Sequence, residues 1–239
     1  MKKIRIDKAL AHMGLGTRKE VKKIIKEKRV VVGGKTITSP STQIDGQNQK
    51  ITIDNLELDY KEFYYFIINK PQGVISATED YHHETVIDLL DLEDKNKKLF
   101  PVGRLDIDTE GLLLLTNDGK LAHRLLSPKK DVAKTYYAEI EGRLGIEDIE
   151  SFKEGIILED GYKCKPAKLE IIESNDISKA KITISEGKFH QVKRMVEAVD
   201  GKVVYLQRIK MGGLGLPKDL ELGNYREITD EELDLLINP

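Results

Sequence analysis

Four consecutive leucines, Leu112–Leu115, constrain this chain more than any other stretch. Such a run offers no side to water, so it belongs to a segment buried on both faces. With Gly111 before it and Thr116 after it, the segment reads as a strand. Directly ahead stands GRLDIDTEG at residues 103–111, three carboxylates at alternate positions with one arginine. Whatever folds around the leucines must therefore hold acid at the edge of its core. The acids suit a metal loop, a pair for glycosidic chemistry, a solvated turn, or one catalytic carboxylate supported by a distant cation.

A calcium loop would use Asp106, Asp108, Glu110 and Gly111 as positions 1, 3, 5 and 6, but position 12 is Asn117 and apolar strand intervenes. Asp106 and Asp108 share a face if extended, roughly 6–7 Å apart by strand rise. Acid–base pairs of that kind usually come from separate strands, and nothing else suggests a sugar-polymer cleft. A solvated turn is the preferred reading for Glu110 and competes for Asp108 as a loop brace. A catalytic carboxylate needs a cation to keep it ionised. Arg104 is near in sequence, and Lys193 and Arg194 fall off the apolar face of a helix predicted over 189–199. Tyr136 offers a flat ring for a planar substrate, or is a core tyrosine on a half-buried strand.

The net charge of -2 hides an asymmetry. Residues 1–38 hold 12 Lys/Arg and 3 Asp/Glu, a net of +9, so the remainder carries -11. A basic module on an acidic body suggests a polyanionic partner. Within it, Asp7 is expected to cap a short helix through Met13. Thr17 and Glu20 form a capping box for a second helix, whose Val21, Ile24 and Ile25 make an apolar stripe. Arg18, Lys19, Lys22, Lys23 and Lys26 lie mostly off that stripe, suited to phosphates. Val30–Val32, Gly33-Gly34 and Thr36–Thr38 read as a hairpin that continues into residues 50–54. The order Ile6–Leu10, Gly14–Glu20, Arg29–Lys35 resembles the alpha-L RNA-binding motif shared by a small-subunit ribosomal protein and RNA-modifying enzymes. The resemblance implies structured RNA as partner.

The boundary is expected near residue 58, giving an RNA-binding domain with linker at 1–58 and a larger domain at 59–239. In the latter, Phe63–Ile68, Val74–Ser76, Leu99–Val102, Gly111–Thr116, Thr135–Glu141, Ala167–Ile172, Ala180–Ser185 and Val203–Lys210 read as strands. Thr85–Leu92, Leu121–Leu126 stopped by Ser127-Pro128, Ile146–Phe152 and Phe189–Val199 read as helices, and Thr229–Glu232 is a second capping box. The class is α+β with a mainly antiparallel sheet. No apolar run reaches the roughly 20 residues of a membrane span. The basic N-terminus has no apolar signal core, and the lone Cys164 forbids an internal disulfide and reads as structural, all consistent with the cytoplasm.

GRLDIDTEGLLLLTNDG, with Lys70-Pro71-Gln72-Gly73-Val74 upstream, then Lys134-Thr135-Tyr136 and GKFHQVKRM at 187–195, strongly resembles the RsuA/RluB-type pseudouridine synthases. His190–Met195 is similar to the branch acting on small-subunit ribosomal RNA. Large-subunit branches more often carry Asn-Arg where this chain has Phe189-His190. The resemblance implies a cofactor-free, metal-free isomerisation of uridine to pseudouridine, on structured ribosomal RNA or an assembly intermediate, and a monomer is expected. It implies that Asp106 is the essential aspartate, as nucleophile or base, with Lys193 as its basic partner and Arg194 as the fallback. A lysine there is a point charge without the guanidinium fork. It further implies that Tyr136 stacks on uracil, Arg104 enters the space left by the flipped nucleotide, and Lys70 and Lys134 contact phosphate. The rivals are a large-subunit enzyme of the same family and a non-catalytic assembly protein. An RNA methyltransferase with the same module would want a glycine-rich cofactor loop that this sequence does not offer.

Overall fold

The computed structural model describes residues 3–46, 48–127 and 130–238. The chain divides into two compact units. One holds the described residues up to Tyr64 with Ile87–Phe100 and Thr116–Asp118; the other holds Tyr65–Val86, Pro101–Leu115 and the chain from Gly119 onward.

In the first unit, helices Ile6–His12 and Arg18–Lys26 pack on short strands. The Thr17 hydroxyl accepts from the Glu20 amide at 3.4 Å, and the Glu20 carboxylate accepts from the Thr17 amide at 2.7 Å, closing the expected capping box. Val21 and Ile25 join Ile6, Leu10, Val30, Ile44 and Ile51 in one core. Arg18, Lys19, Lys22, Lys23 and Lys26 remain exposed. Gly33 and Gly34 have φ of 55° and 78°, the left-handed pair that a two-residue hairpin turn requires. Val30–Val32 also pairs with Ile51–Ile53, so the hairpin continues as expected. Asp7 is not a cap. Arg5 is the N-cap, and Asp7 is buried within the first turn, bonded to Arg5 at 3.0 and 2.9 Å and to Arg18 at 3.3 Å. Two nearby guanidinium groups outcompete the helix amides for its carboxylate.

The second unit is built on a sheet ordered Lys168–Glu173, Ile177–Ile184, Lys134–Glu141, Lys202–Met211, Glu110–Thr116, Tyr65–Lys70, Tyr225–Glu227. The class is α+β. The long pairs are antiparallel, but Gln207 and Arg208 run parallel to Glu110 and Gly111. Every residue of Glu110–Thr116 is buried, as a central strand of leucines demands. Gly111, at φ 104°, permits the parallel contact, because a Cβ there would lie 2.3 Å from the Arg208 carbonyl oxygen. Helices Gly119–Leu126, Ile146–Glu154, Gln191–Glu197 and Asp230–Ile237 complete the unit, the last with the second capping box in place.

Two expected helices change. Of the expected helix Thr85–Leu92, residues 85–91 are not helical, and a helix begins only at Leu92, running Leu92–Asn96. The Ile75 amide donates to Glu84 O and the Val86 amide to Ile75 O, so tertiary pairing takes the groups a helix would need. Phe189–Val199 begins only at Gln191, because His190 adopts φ 48° as its N-cap. Helix Gly119–Leu126 ends where a stop was expected, though Pro128 lies outside the described residues. Cys164 is buried, and burial pushes its thiol pKa up, as suits a packing residue.

Candidate active site

The two motifs that bracket the leucine strand in sequence meet in space. The acidic loop is fixed by the segment after Lys70. The Gly73 amide donates to Ile107 O at 2.8 Å, and Ser76 Oγ both donates to Leu105 O and accepts from its amide at 3.0 Å. Within the loop, Thr109 N donates to Asp106 O at 3.1 Å. Lys70 Nζ donates to Pro71 O and Thr109 O at 2.9 Å. Lys70 is wholly buried, and burial lowers its pKa to about 8 against the opposing pull of Asp108, Asp106 and Glu110. Its placement differs from the phosphate contact the sequence suggested. A buried ammonium needs acceptors, and the loop carbonyls provide them.

Asp106 stands at the lip of this loop with its side chain 29% exposed. Lys193 Nζ lies 3.4 Å from Asp106 Oδ2, and His190 Nε2 lies 3.6 Å from Oδ1. The closer bond of Lys193, at 2.6 Å, goes to Asp108 Oδ1. Burial raises the Asp108 pKa, but the Lys193 hydrogen bond and charge outweigh it and hold the group below its ordinary value. Arg194 points elsewhere, to Asp160 at 2.5 Å. Glu110 is no solvated turn acid. It is buried at the start of the strand and accepts from Tyr205 OH at 2.6 Å, which with burial pushes the phenol pKa up.

A pocket of about 800 Å³ opens beside Asp106. Arg104, Lys134, Tyr136 and Lys193 line it, with apolar walls from Leu105, Ile184 and Leu206. Tyr136 is only 8% exposed. Lys134 is also buried, its ammonium donating to Val132 O at 3.0 Å. The structure thus brings Arg104, Asp106, Lys134, Tyr136 and Lys193 to one pocket and leaves Lys70 and Arg194 in other contacts. Arg18, Lys19, Lys22 and Lys23 sit on the exposed face of their helix in the first unit.

His190 and Arg208 also line the pocket and were not anticipated there. The signal for Arg208 lay in the alternation of Val203–Lys210, where it takes an inward position beside Leu206. For His190 the signal was its place in GKFHQVKRM beside Lys193, but the left-handed turn that aims it is a tertiary outcome. The assembly pairs an acid in reach of two basic groups with an aromatic-walled slot. It can take a planar uncharged ring and act on the carbon attached to it. Among the described residues no cluster of three or more His, Cys, Asp or Glu could hold a metal ion, and no helix is long and apolar enough to cross a membrane.

Residues 4–50 match the S4 domain, and residues 64–198 match the RNA pseudouridylate synthase family. The chain is 51% identical over 238 residues, 99% of each chain, to the uncharacterized RNA pseudouridine synthase YtzG of Bacillus subtilis. It is 39% identical to ribosomal small subunit pseudouridine synthase A of Haemophilus influenzae, covering 98% of this chain and 100% of that one. It is 37% identical to ribosomal large subunit pseudouridine synthase B of Bacillus subtilis, covering 97% and 95%. A crystal structure of a pseudouridylate synthase superposes with a TM-score of 0.68 at 38% identity, covering 98% and 99%. With an acid-bearing pocket in one unit and an S4 domain in the other, the chain belongs to the RNA pseudouridylate synthase family.

Proposed function

We propose that this enzyme isomerises uridine to pseudouridine in ribosomal RNA of the small subunit, with Asp106 as the essential group. The observation that carries this is the placement of Asp106. Its carboxylate sits on a loop braced by Gly73, Ser76 and Lys70, within 3.4 Å of Lys193 and 3.6 Å of His190, at a pocket walled by Tyr136. The N1–C1′ bond of the nucleotide breaks, the uracil turns over, and C5 bonds to C1′. Asp106 serves as nucleophile at the sugar or as base. Lys193 pairs with it while shared with Asp108, and Tyr136 stacks on the base. Exposed Arg104 fills the space of the extruded nucleotide. We take residues 1–58 as the module that holds structured RNA through Arg18, Lys19, Lys22 and Lys23, and residues 59–239 as the catalytic domain. Such phosphate contacts orient without reading sequence.

The small-subunit assignment rests on Phe189-His190. A large-subunit target is the second reading, favoured by the 37% identity to the large-subunit enzyme of Bacillus subtilis. The enzyme acts as a cytoplasmic monomer on naked RNA or an assembly intermediate. Chemical mapping of pseudouridine in both ribosomal RNAs, with and without the protein, tests this. A small-subunit uridine should convert with the wild type and fail with Asp106→Asn. Conversion by Asp106→Asn at near-normal rate would overturn the assignment.

A further inference from the structure

Arg208 is a buried arginine on the strand Lys202–Met211. It faces Tyr136 across the antiparallel pair and is 2% exposed. Its Nε donates to Leu112 O at 2.7 Å. One of its terminal nitrogens is among three buried side-chain polar atoms without a partner in the described residues, and a second is Thr109 Oγ1. Both residues line the Asp106 pocket. Lys134 lies two residues from Tyr136 on the same strand, so it shares that face. The hydrogen bonds of Lys134 Nζ and Arg208 Nε go to backbone carbonyls. Burial and then the Arg208 charge bring the Lys134 pKa down to about 8, against the opposing pull of Asp131 and Glu186.

A buried guanidinium nitrogen without a partner, at a pocket that a second buried cation also lines, is unfavourable until an acceptor arrives opposite it. A backbone phosphate is a poor candidate at this depth. The pocket that Arg208 lines has Tyr136, Ile184 and Leu206 as walls, which suit a planar ring, while its exposed cations are Arg104 and Lys188. We propose that Arg208, with Lys134, binds the carbonyl oxygens of the target uracil and stabilises the negative charge it takes up as the N1–C1′ bond breaks. This rests on the proposed function. When that bond breaks, its electron pair stays on the ring and spreads to O2 and O4. C5 then bonds to C1′, C5 loses its proton and N1 gains one, so the isomerisation balances. The charge is the same whether Asp106 acts as nucleophile or as base. Donors that meet charge only as it develops lower the barrier without tightening ground-state binding.

The experiment compares uridine with 5-fluorouridine in the same ribosomal RNA transcript, under single turnover at saturating enzyme. Fluorine makes the departing base more acidic, so it needs less help to leave. Arg208→Gln, which keeps a donor toward Leu112 O, should slow loss of the N1-linked nucleoside by about 100-fold for uridine and by a smaller factor for 5-fluorouridine. RNA binding should be unchanged. Lys134→Gln should show the same unequal slowing and carries the comparison should Arg208→Gln not fold. Equal slowing of both substrates, or weaker RNA binding at an unchanged rate, would overturn the assignment and point to packing or a phosphate contact. A wild type inert on the RNA would instead bring down the proposed function, and this assignment with it.

Discussion

Asp7 and Asp106 each sit among cations, yet they are held in opposite ways. Asp7 is fully buried, takes a two-pronged bond from Arg5 at 3.0 and 2.9 Å, and a third from Arg18 at 3.3 Å. Asp106 keeps 29% of its side chain exposed, with Lys193 at 3.4 Å and His190 at 3.6 Å, and Lys193 is nearer to Asp108. The first carboxylate commits its lone pairs to the fold. The second keeps its lone pairs available and lets its surroundings, the braced loop, supply the rigidity. A count of pairs alone would rank Asp7 above Asp106; geometry separates a closed ion cluster from a carboxylate open to a pocket.

Substitutions should break that contrast in order of size. Asp106→Asn should cut pseudouridine formation by at least ~10⁴-fold in single-turnover assays while shifting unfolding free energy by less than about 0.5 kcal/mol, since no packing changes. A large stability loss would mean that Asp106 is held as Asp7 is. Lys193→Met should slow turnover by about 100-fold, with Lys193→Arg restoring part of it through a fork that can serve Asp106 and Asp108 together. Equal defects in the two variants would count against a charge role.

Asp7→Ala should do the reverse of Asp106→Asn. It should cost about 2 kcal/mol in denaturant unfolding, because Arg5 and Arg18 are half exposed and recover water, and leave the rate on bound RNA intact. The sign with pH follows. Burial raises the Asp7 pKa, but Arg5 and Arg18 together hold it below 3.8. Its contribution is therefore full above that value and fades as pH falls through the folded pKa, so wild type and variant should converge in strong acid. Divergence there would contradict the pairing. The smallest effect concerns the exposed helix: Lys19, Lys22 and Lys23 changed together to Gln should lower the salt slope of RNA binding by up to about 0.9 per lost phosphate contact, with turnover at saturation preserved. An unaltered slope would remove that face from the RNA interface.

Much of this was legible because it is local. Thr17 with Glu20 and Thr229 with Glu232 announce helix starts within four residues, Gly33-Gly34 announces a turn, and Leu112–Leu115 can only be interior strand. Lys134-Thr135-Tyr136 and GRLD marked the pocket by resemblance. The failures share a cause. Thr85–Leu92 has helical spacing, but its backbone groups are taken by Ile75. Asp7 looks like a cap until Arg5 and Arg18 are seen around it. Lys70 looks like an RNA contact until the loop carbonyls close over it. Arg208 read as one more residue of a strand.

The sequence by itself determined that a basic, helix-capped module precedes an α+β body, that a leucine strand forms its interior, and that Asp106 stands beside that strand. These follow from side-chain type and period, which act over a few residues. Tertiary structure alone decided which cations reach Asp106, that Lys193 is divided between two acids, and that Arg194 is drawn to Asp160. It also turned Lys70 inward and set Arg208 beneath Tyr136. Those outcomes depend on segments tens of residues apart in the chain meeting at angstrom distances, where burial and competing partners, not spacing along the chain, determine what each charge can do.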